Sequence, residues 1–125
     1  ARNQIALSGL TLVEGFFDVA VLIQAGCLNA GALMSAHITP GQILRLKHMN
    51  SHISIPFITL FFDRDKAGKS GSIRAQRLLQ DNGFSVRIFD WEQSRVRLTG
   101  IPAPITDPAD MPVEMIRQFR HQGAF

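Results

Sequence analysis

Leu10-Thr11-Leu12-Val13 is a short apolar run of strand formers, and Glu14-Gly15 ends it. Residues 16 to 25 are almost wholly apolar and read as a helix, stopped at Gly26, which suits the left-handed position after a helix. Ala30 to Met34 reads as a second strand. Thr39 followed by Pro40 is a helix start, and that helix runs to about Asn50 with Ile43, Leu44 and Leu46 inward and Arg45, Lys47 and His48 outward. Pro56 to Phe62 is the most hydrophobic strand candidate. Its lack of alternation predicts burial on both faces, as in a parallel sheet.

Asp63-Arg64-Asp65 closes that strand. A helix from about Ala67 to Asp81 follows, with Ala67, Gly71, Ala75, Leu78 and Leu79 toward the sheet and Asn82-Gly83 as its stop. Phe84 to Ile88 alternates and reads as a fourth strand, nearer an edge. Residues 95 to 104 form a short strand or an ordered loop. Asp107-Pro108-Ala109-Asp110 is a turn, and Pro112 opens a last helix to about His121. Residues 1 to 8 are expected to be a lead-in or an extra edge strand. Strands alternating with helices predict an α/β fold with a mainly parallel sheet of about four strands, organised as one domain over 1–125.

Ligands of such sheets sit beyond the carboxyl ends of the strands, where the strand order reverses. Glu14 lies at the end of the first strand, and Asp63 and Asp65 at the end of the third. If those strands are neighbours, the three carboxylates converge. Clustered carboxylates repel one another, and a divalent cation relieves that cost. Magnesium takes oxygen ligands and keeps water or phosphate among them. Glu14 is the candidate general acid or base beside the metal. A bland reading competes at each position, because Asp often follows a strand merely to cap the next helix, and Asp65 is placed to do so. The combination of a buried strand, Asp-x-Asp and an earlier Glu-Gly is harder to explain that way.

Composition adds three things. With 125 residues and 46% hydrophobic content, the chain is long enough for a real core. No apolar run approaches the ~20 residues that span a bilayer, and a cytoplasmic setting is expected. One cysteine, Cys27, excludes an internal disulfide and a multi-cysteine zinc site, and it is expected to be a small buried residue. The formal charge is only +3, yet six of the ten acids fall in three short motifs, leaving the other four against thirteen Lys and Arg. A basic body around concentrated acid suits a protein that holds metal at one spot and polyanion around it. Lys66 and Lys69, with Arg64, are candidate phosphate contacts beside the motif. Arg74 and Arg77 read equally well as a solvated helix face. His48 and His52 read as surface residues, with His52 past the helix end. Trp91 and Phe89 are expected in packing rather than in base stacking.

These residues carry a resemblance. Val13-Glu14-Gly15-Phe16-Phe17-Asp18-Val19 resembles the first motif of Toprim domains of the bacterial primase type, a hydrophobic strand followed by Glu-Gly-x-x-Asp. Phe62-Asp63-Arg64-Asp65-Lys66-Ala67-Gly68 resembles the second, and Asp107-Pro108-Ala109-Asp110 resembles the late acidic element. The likeness covers roughly residues 10 to 120. It implies a Rossmann-like three-layer fold, Mg²⁺ or Mn²⁺ as cofactor, Glu14 as catalytic group and Asp63 and Asp65 as metal ligands. Asp107 or Asp110 completes the acidic pocket, and Gly15, Asp18 and Gly68 are supporting residues. It implies a module of a larger primase-like protein, performing metal-dependent nucleotidyl transfer for primer synthesis. Its partners would be a DNA template, nucleoside triphosphates, adjoining domains and a replicative helicase. The alternatives are a cutting module of the nuclease or topoisomerase type and a non-catalytic nucleic-acid-binding or assembly module. Two departures stand out: Arg64 where primases commonly have Gly, and Leu33-Met34-Ser35 where they commonly have Leu-Gly-Thr.

Overall fold

A computed structural model describes residues 2–92 and 105–125. Its central sheet contains β1 (Leu10–Val13), β2 (Ala30–Ala32), β3 (Ile58–Leu60) and β4 (Val86–Ile88), all parallel, in the order β2-β1-β3-β4. The connections are α2 (Phe16–Gln24), α3 (Pro40–His52) and α4 (Lys66–Asp81). The chain begins with α1 (Arg2–Ser8) and ends with a 3-10 turn (Pro108–Asp110) and α5 (Val113–His121).

Alternation along β1 and β3 builds two cores. Leu10, Leu12, Ile58 and Leu60 face one side and pack with Ile43 and Leu46 of α3 and Ala75 and Leu79 of α4. Val13 belongs to the other side, with Phe61, Leu22 of α2, Ile116 and Phe119 of α5, and the rings of Phe89, Trp91 and Phe125. Both faces of β1 and β3 are therefore covered, and every residue of these two strands is buried. That is the three-layer arrangement a non-alternating apolar strand predicts.

β1 leads through α2 to β2 on one side, and β3 then returns to β1's other side. The strand order reverses between β1 and β3, so the crevice beyond their carboxyl ends lies between Val13 and Phe61. The opposite end is held by polar bonds. Asn29, 1% exposed, donates from Nδ2 to the Gly9 carbonyl at 2.8 Å and accepts from Arg120 Nη1 at 2.9 Å.

Several details differ from the sequence reading. Residues 2–8 form a helix rather than a lead-in or an edge strand, because Ile5 finds a place in the α3/α4 core and Gly9, at φ 79°, turns the chain directly into β1. Leu44 is 67% exposed: helical geometry puts it about 100° round from Ile43, off the Ile43–Leu46 stripe. Ala67 is exposed, and the buried face of α4 starts one residue later, with Gly68, Gly71, Ser72, Ala75 and Leu79. His52 is within α3, its ring 4.6 Å from that of His48, because the helix continues to a terminal bond from the Ile53 N–H to the Met49 carbonyl. Residues 95–104 lie outside the described residues.

Candidate metal centre

Three chain segments meet at the crevice. The first is the turn from β1 into α2. Gly15 is the N-cap of α2, and its N–H donates to Asp18 Oδ2 at 3.1 Å, so Asp18 folds back over the first turn. Its other oxygen, Oδ1, accepts from the Ala109 N–H at 3.1 Å. Asp18 is 5% exposed and thus ties the first motif to the 3-10 turn. Burial raises its pKa above the usual carboxylate value; the two N–H donors oppose that, while the charges of Asp107 and Glu14 add to it.

The second segment follows β3. The Asp63 N–H donates to Glu14 Oε2 at 2.5 Å, which locks the ends of β1 and β3 together. The Asp63 side chain is less well served, since its Oδ1 is buried without a hydrogen-bond partner among the described residues. Burial, then the charges of Glu14 and Asp18, a hydrogen bond to Glu14 and the charge of Asp107 raise its pKa to about 8. Gly68 makes the close turn possible, because a Cβ there would sit 2.1 Å from the Asp63 carbonyl oxygen.

The third segment is the late acidic turn. Asp107 caps it, Oδ1 accepting from the Asp110 N–H at 3.0 Å. Its pKa is raised by burial first and then by the Asp110 charge, against N–H bonds from Asp110 and Ala109 that lower it. Ligand atoms of Asp18, Asp63 and Asp107 all lie within 4.8 Å of one another. An open pocket of about 320 Å³ sits over them, lined also by Glu14, Gly15, Phe16, Phe17, Met34 and Ser35.

Not all the motif acids enter this triad. Asp65 is exposed and is the N-cap of α4, its Oδ1 accepting from the Gly68 N–H at 2.6 Å, although its charge still reaches Asp107. Asp110 turns to Thr106, whose N–H and hydroxyl both donate to Oδ2 at 3.2 Å. Of the two late acids, Asp107 is therefore the one placed with Asp63. Arg64 points away from the triad, with its guanidinium 3.8 Å from Glu92 and its N–H bonded to the Thr106 carbonyl. Lys66 and Lys69 are exposed at the start of α4, and Lys69 lines a second hollow of about 350 Å³ on the far side of Asp63. Trp91 and Phe89 are buried, the indole N–H donating to the Phe62 carbonyl at 2.9 Å, and Cys27 is buried too. The sequence reading gave Asp18 a supporting role, to orient or cap; the structure shows it capping the Gly15 N–H and also standing in the triad. Its spacing from Gly15, three residues into a helix with no capping side chain, was the available signal.

The sequence profile of the Toprim domain family matches residues 8–90. The chain belongs to the Toprim domain family. Over 100 residues this Toprim domain is 37% identical to a DNA primase of Helicobacter pylori, covering 80% of the chain and 15% of that protein. Over 85 residues it is 29% identical to a DNA primase of Mycoplasma pneumoniae, covering 68% of the chain and 13% of that protein. It thus spans about a seventh of the length of the primases it matches. The fold is shared with the crystal structure of the zinc-binding and RNA polymerase domains of the Aquifex aeolicus primase. That match has a TM-score of 0.72 at 24% identity over 99% of this chain and 27% of that one. Among the described residues no helix is long and apolar enough to cross a membrane.

Proposed function

We propose that this Toprim domain holds a divalent cation, Mg²⁺ or Mn²⁺, and serves as the metal-binding part of a primase-like enzyme that joins nucleotides on a DNA template. The observation that carries this reading is the buried Asp63 Oδ1, which lacks a donor and faces three other carboxylates. A chain gains nothing from such an arrangement unless a cation completes it. The donor set is all hard oxygen, with no cysteine or histidine in it, which fits magnesium or manganese and not zinc.

Asp63 and Asp107 would hold the ion, with Asp65 on the rim beside Asp107. When bound, the ion supplies charge stabilisation for a phosphoryl group in transfer. Asp18 keeps both oxygens on backbone N–H groups and positions the 3-10 turn that carries Asp107. Glu14 holds Asp63 in place through the backbone and stands at the pocket wall, where it can accept or deliver a proton. Lys66 and Lys69 offer point charges to a nucleic-acid backbone next to the acids, and Arg64 lies beyond them near Glu92. Adjoining domains of a longer protein would supply the remaining surfaces, including any contact with a helicase.

The test is Mn²⁺ binding to this chain by electron paramagnetic resonance. The Asp63→Ala, Asp65→Ala double variant should lose it, and unchanged affinity would sink the assignment. Primer synthesis is expected only in the longer protein, and a Glu14→Gln change there should abolish it. Normal synthesis by that variant would favour a non-catalytic assembly role, whereas metal-dependent nicking of DNA would favour the cutting alternative.

A further inference from the structure

The chain has nine phenylalanines, and their burial is sharply divided. Phe61, Phe62, Phe84, Phe89, Phe119 and Phe125 are buried, and Phe57 is half-buried with the Arg87 guanidinium 4.2 Å from its ring centre. Phe16 and Phe17 alone are exposed, at 66% and 76%. They stand at the start of α2, ring centres 5.9 Å apart and 75° to one another, an edge-to-face pair that leaves an open ring face. Across the pocket is Met34, 69% exposed and held at φ 68°, a left-handed conformation that costs a non-glycine residue about 1–2 kcal/mol. All three side chains line the pocket over the carboxylate triad.

Apolar exposure of this kind asks for an occupant. A hydrophobic face of another protein fits poorly, because covering this pocket would also bury Glu14, Asp18, Asp63 and Asp107 against apolar surface. A nucleotide carries both halves of what is needed: phosphate for a metal at the acids, and a flat apolar ring for the lip. We propose that Phe16, Phe17 and Met34 form a base-stacking lip that holds the nucleobase attached to the phosphate at the carboxylate site. This rests on the metal-and-phosphate reading above and deepens it by assigning the base-contacting residues. Stacking accepts any base, so the lip grips without reading sequence.

Two independent measurements separate the proposals. The first is Mn²⁺ affinity by electron paramagnetic resonance. The second is fluorescence anisotropy of a labelled single-stranded oligonucleotide, with and without a run of abasic sites, in Mn²⁺. The wild-type chain should bind the base-bearing strand about tenfold more tightly than the abasic one, as stacking of one base implies. The Phe16→Ala, Phe17→Ala double variant, altered only at exposed side chains, should keep Mn²⁺ affinity and its melting temperature but lose that preference. Phe16→Leu, Phe17→Leu should also lose it, since bulk without a ring does not stack. Equal wild-type affinity for both strands with Mn²⁺ bound would overturn the lip and leave the metal reading standing. A double variant that weakens both strands alike, or that breaks up a dimer seen by sedimentation, would also overturn it. No Mn²⁺ binding would overturn the metal reading and the lip with it.

Discussion

Replacing Asp63 by Asn removes a charge while keeping the shape of the side chain, and the structure predicts opposite effects on the metal-free and metal-loaded protein. In the metal-free chain Asp63 has a partnerless buried oxygen among Glu14, Asp18 and Asp107, and its pKa rises from 3.8 to about 8. A carboxyl with a raised value keeps its proton longer in the folded state, so the folded chain loses stability as pH climbs from the unfolded value to the folded one. At about 1.4 kcal/mol per pH unit the full shift corresponds to roughly 6 kcal/mol. The pocket admits water, and screening reduces that to about 2–3 kcal/mol. In EDTA at about pH 9, Asp63→Asn should therefore melt about 10 °C above wild type, at roughly 4 °C per kcal/mol for a chain of this size. At about pH 5 the gap should be smaller, and it should close as pH falls to the unfolded carboxylate value, since the titration lies above it. Mg²⁺ at a hundred times its dissociation constant should raise the wild type by about 2.7 kcal/mol and leave the variant unmoved, reversing or cancelling the order. Thermal melts by circular dichroism read all three points. A variant that melts at or below wild type in EDTA at high pH would refute the idea that the acids repel one another around an unfilled need.

Asp18→Ala should cost about 2–4 kcal/mol in urea unfolding, because it leaves the N–H groups of Gly15 and Ala109 without their acceptor; a loss within experimental error would remove Asp18 as the tie between the two motifs. Met34→Gly should stabilise the chain by about 0.5–1 kcal/mol in the same assay, the left-handed strain less the added entropy of glycine, whereas Met34→Ala should bring no gain. Gly68→Ala should cost at least about 2 kcal/mol and weaken Mn²⁺ binding measured by electron paramagnetic resonance, since the new methyl displaces the Asp63 carbonyl; unchanged metal affinity would mean that the turn does not set the Asp63 position.

The sheet was legible because β1 and β3 are buried on both faces and their sequences say so. Leu10 to Val13 and Ile58 to Leu60 leave no polar face for solvent, which demands helices on both sides and parallel pairing. The helix ends were legible where capping chemistry is local: Thr39 caps α3 as expected, its hydroxyl accepting from the Gln42 N–H, and the structure adds a return bond from the Thr39 N–H to the Gln42 side chain. Elements decided by distant contacts were less readable. α1 has too few residues to be stable alone, and it exists because Ile5 reaches the α3/α4 core and Gln4 accepts from Leu28 and Arg120. Leu44 shows the reverse failure, an apolar residue whose exposure depends on where the helix axis lies.

The site divides along the same line. That Glu14 and Asp63 converge followed from placing β1 beside β3, and the structure joins them through the Asp63 N–H. Which other acids join Asp63 did not follow, because Asp18, Asp65, Asp107 and Asp110 can each cap a turn or ligate a cation, and sequence gives no weight to either use. The structure divides the work by how much of each carboxylate the backbone consumes. Asp65 and Asp110 bond to their own local turns and are exposed; Asp18 spends both oxygens and is buried for it. Among the described residues Asp63 alone keeps a buried side-chain oxygen without a donor. A strained Met34 is the complementary sign. Glycine would relieve the backbone at no steric cost, so a large side chain kept at φ 68° on the pocket rim is accounted for by contact with whatever enters the pocket. An acid without a donor and an apolar side chain without a cover, in one pocket, call for a ligand that is charged at one end and flat at the other.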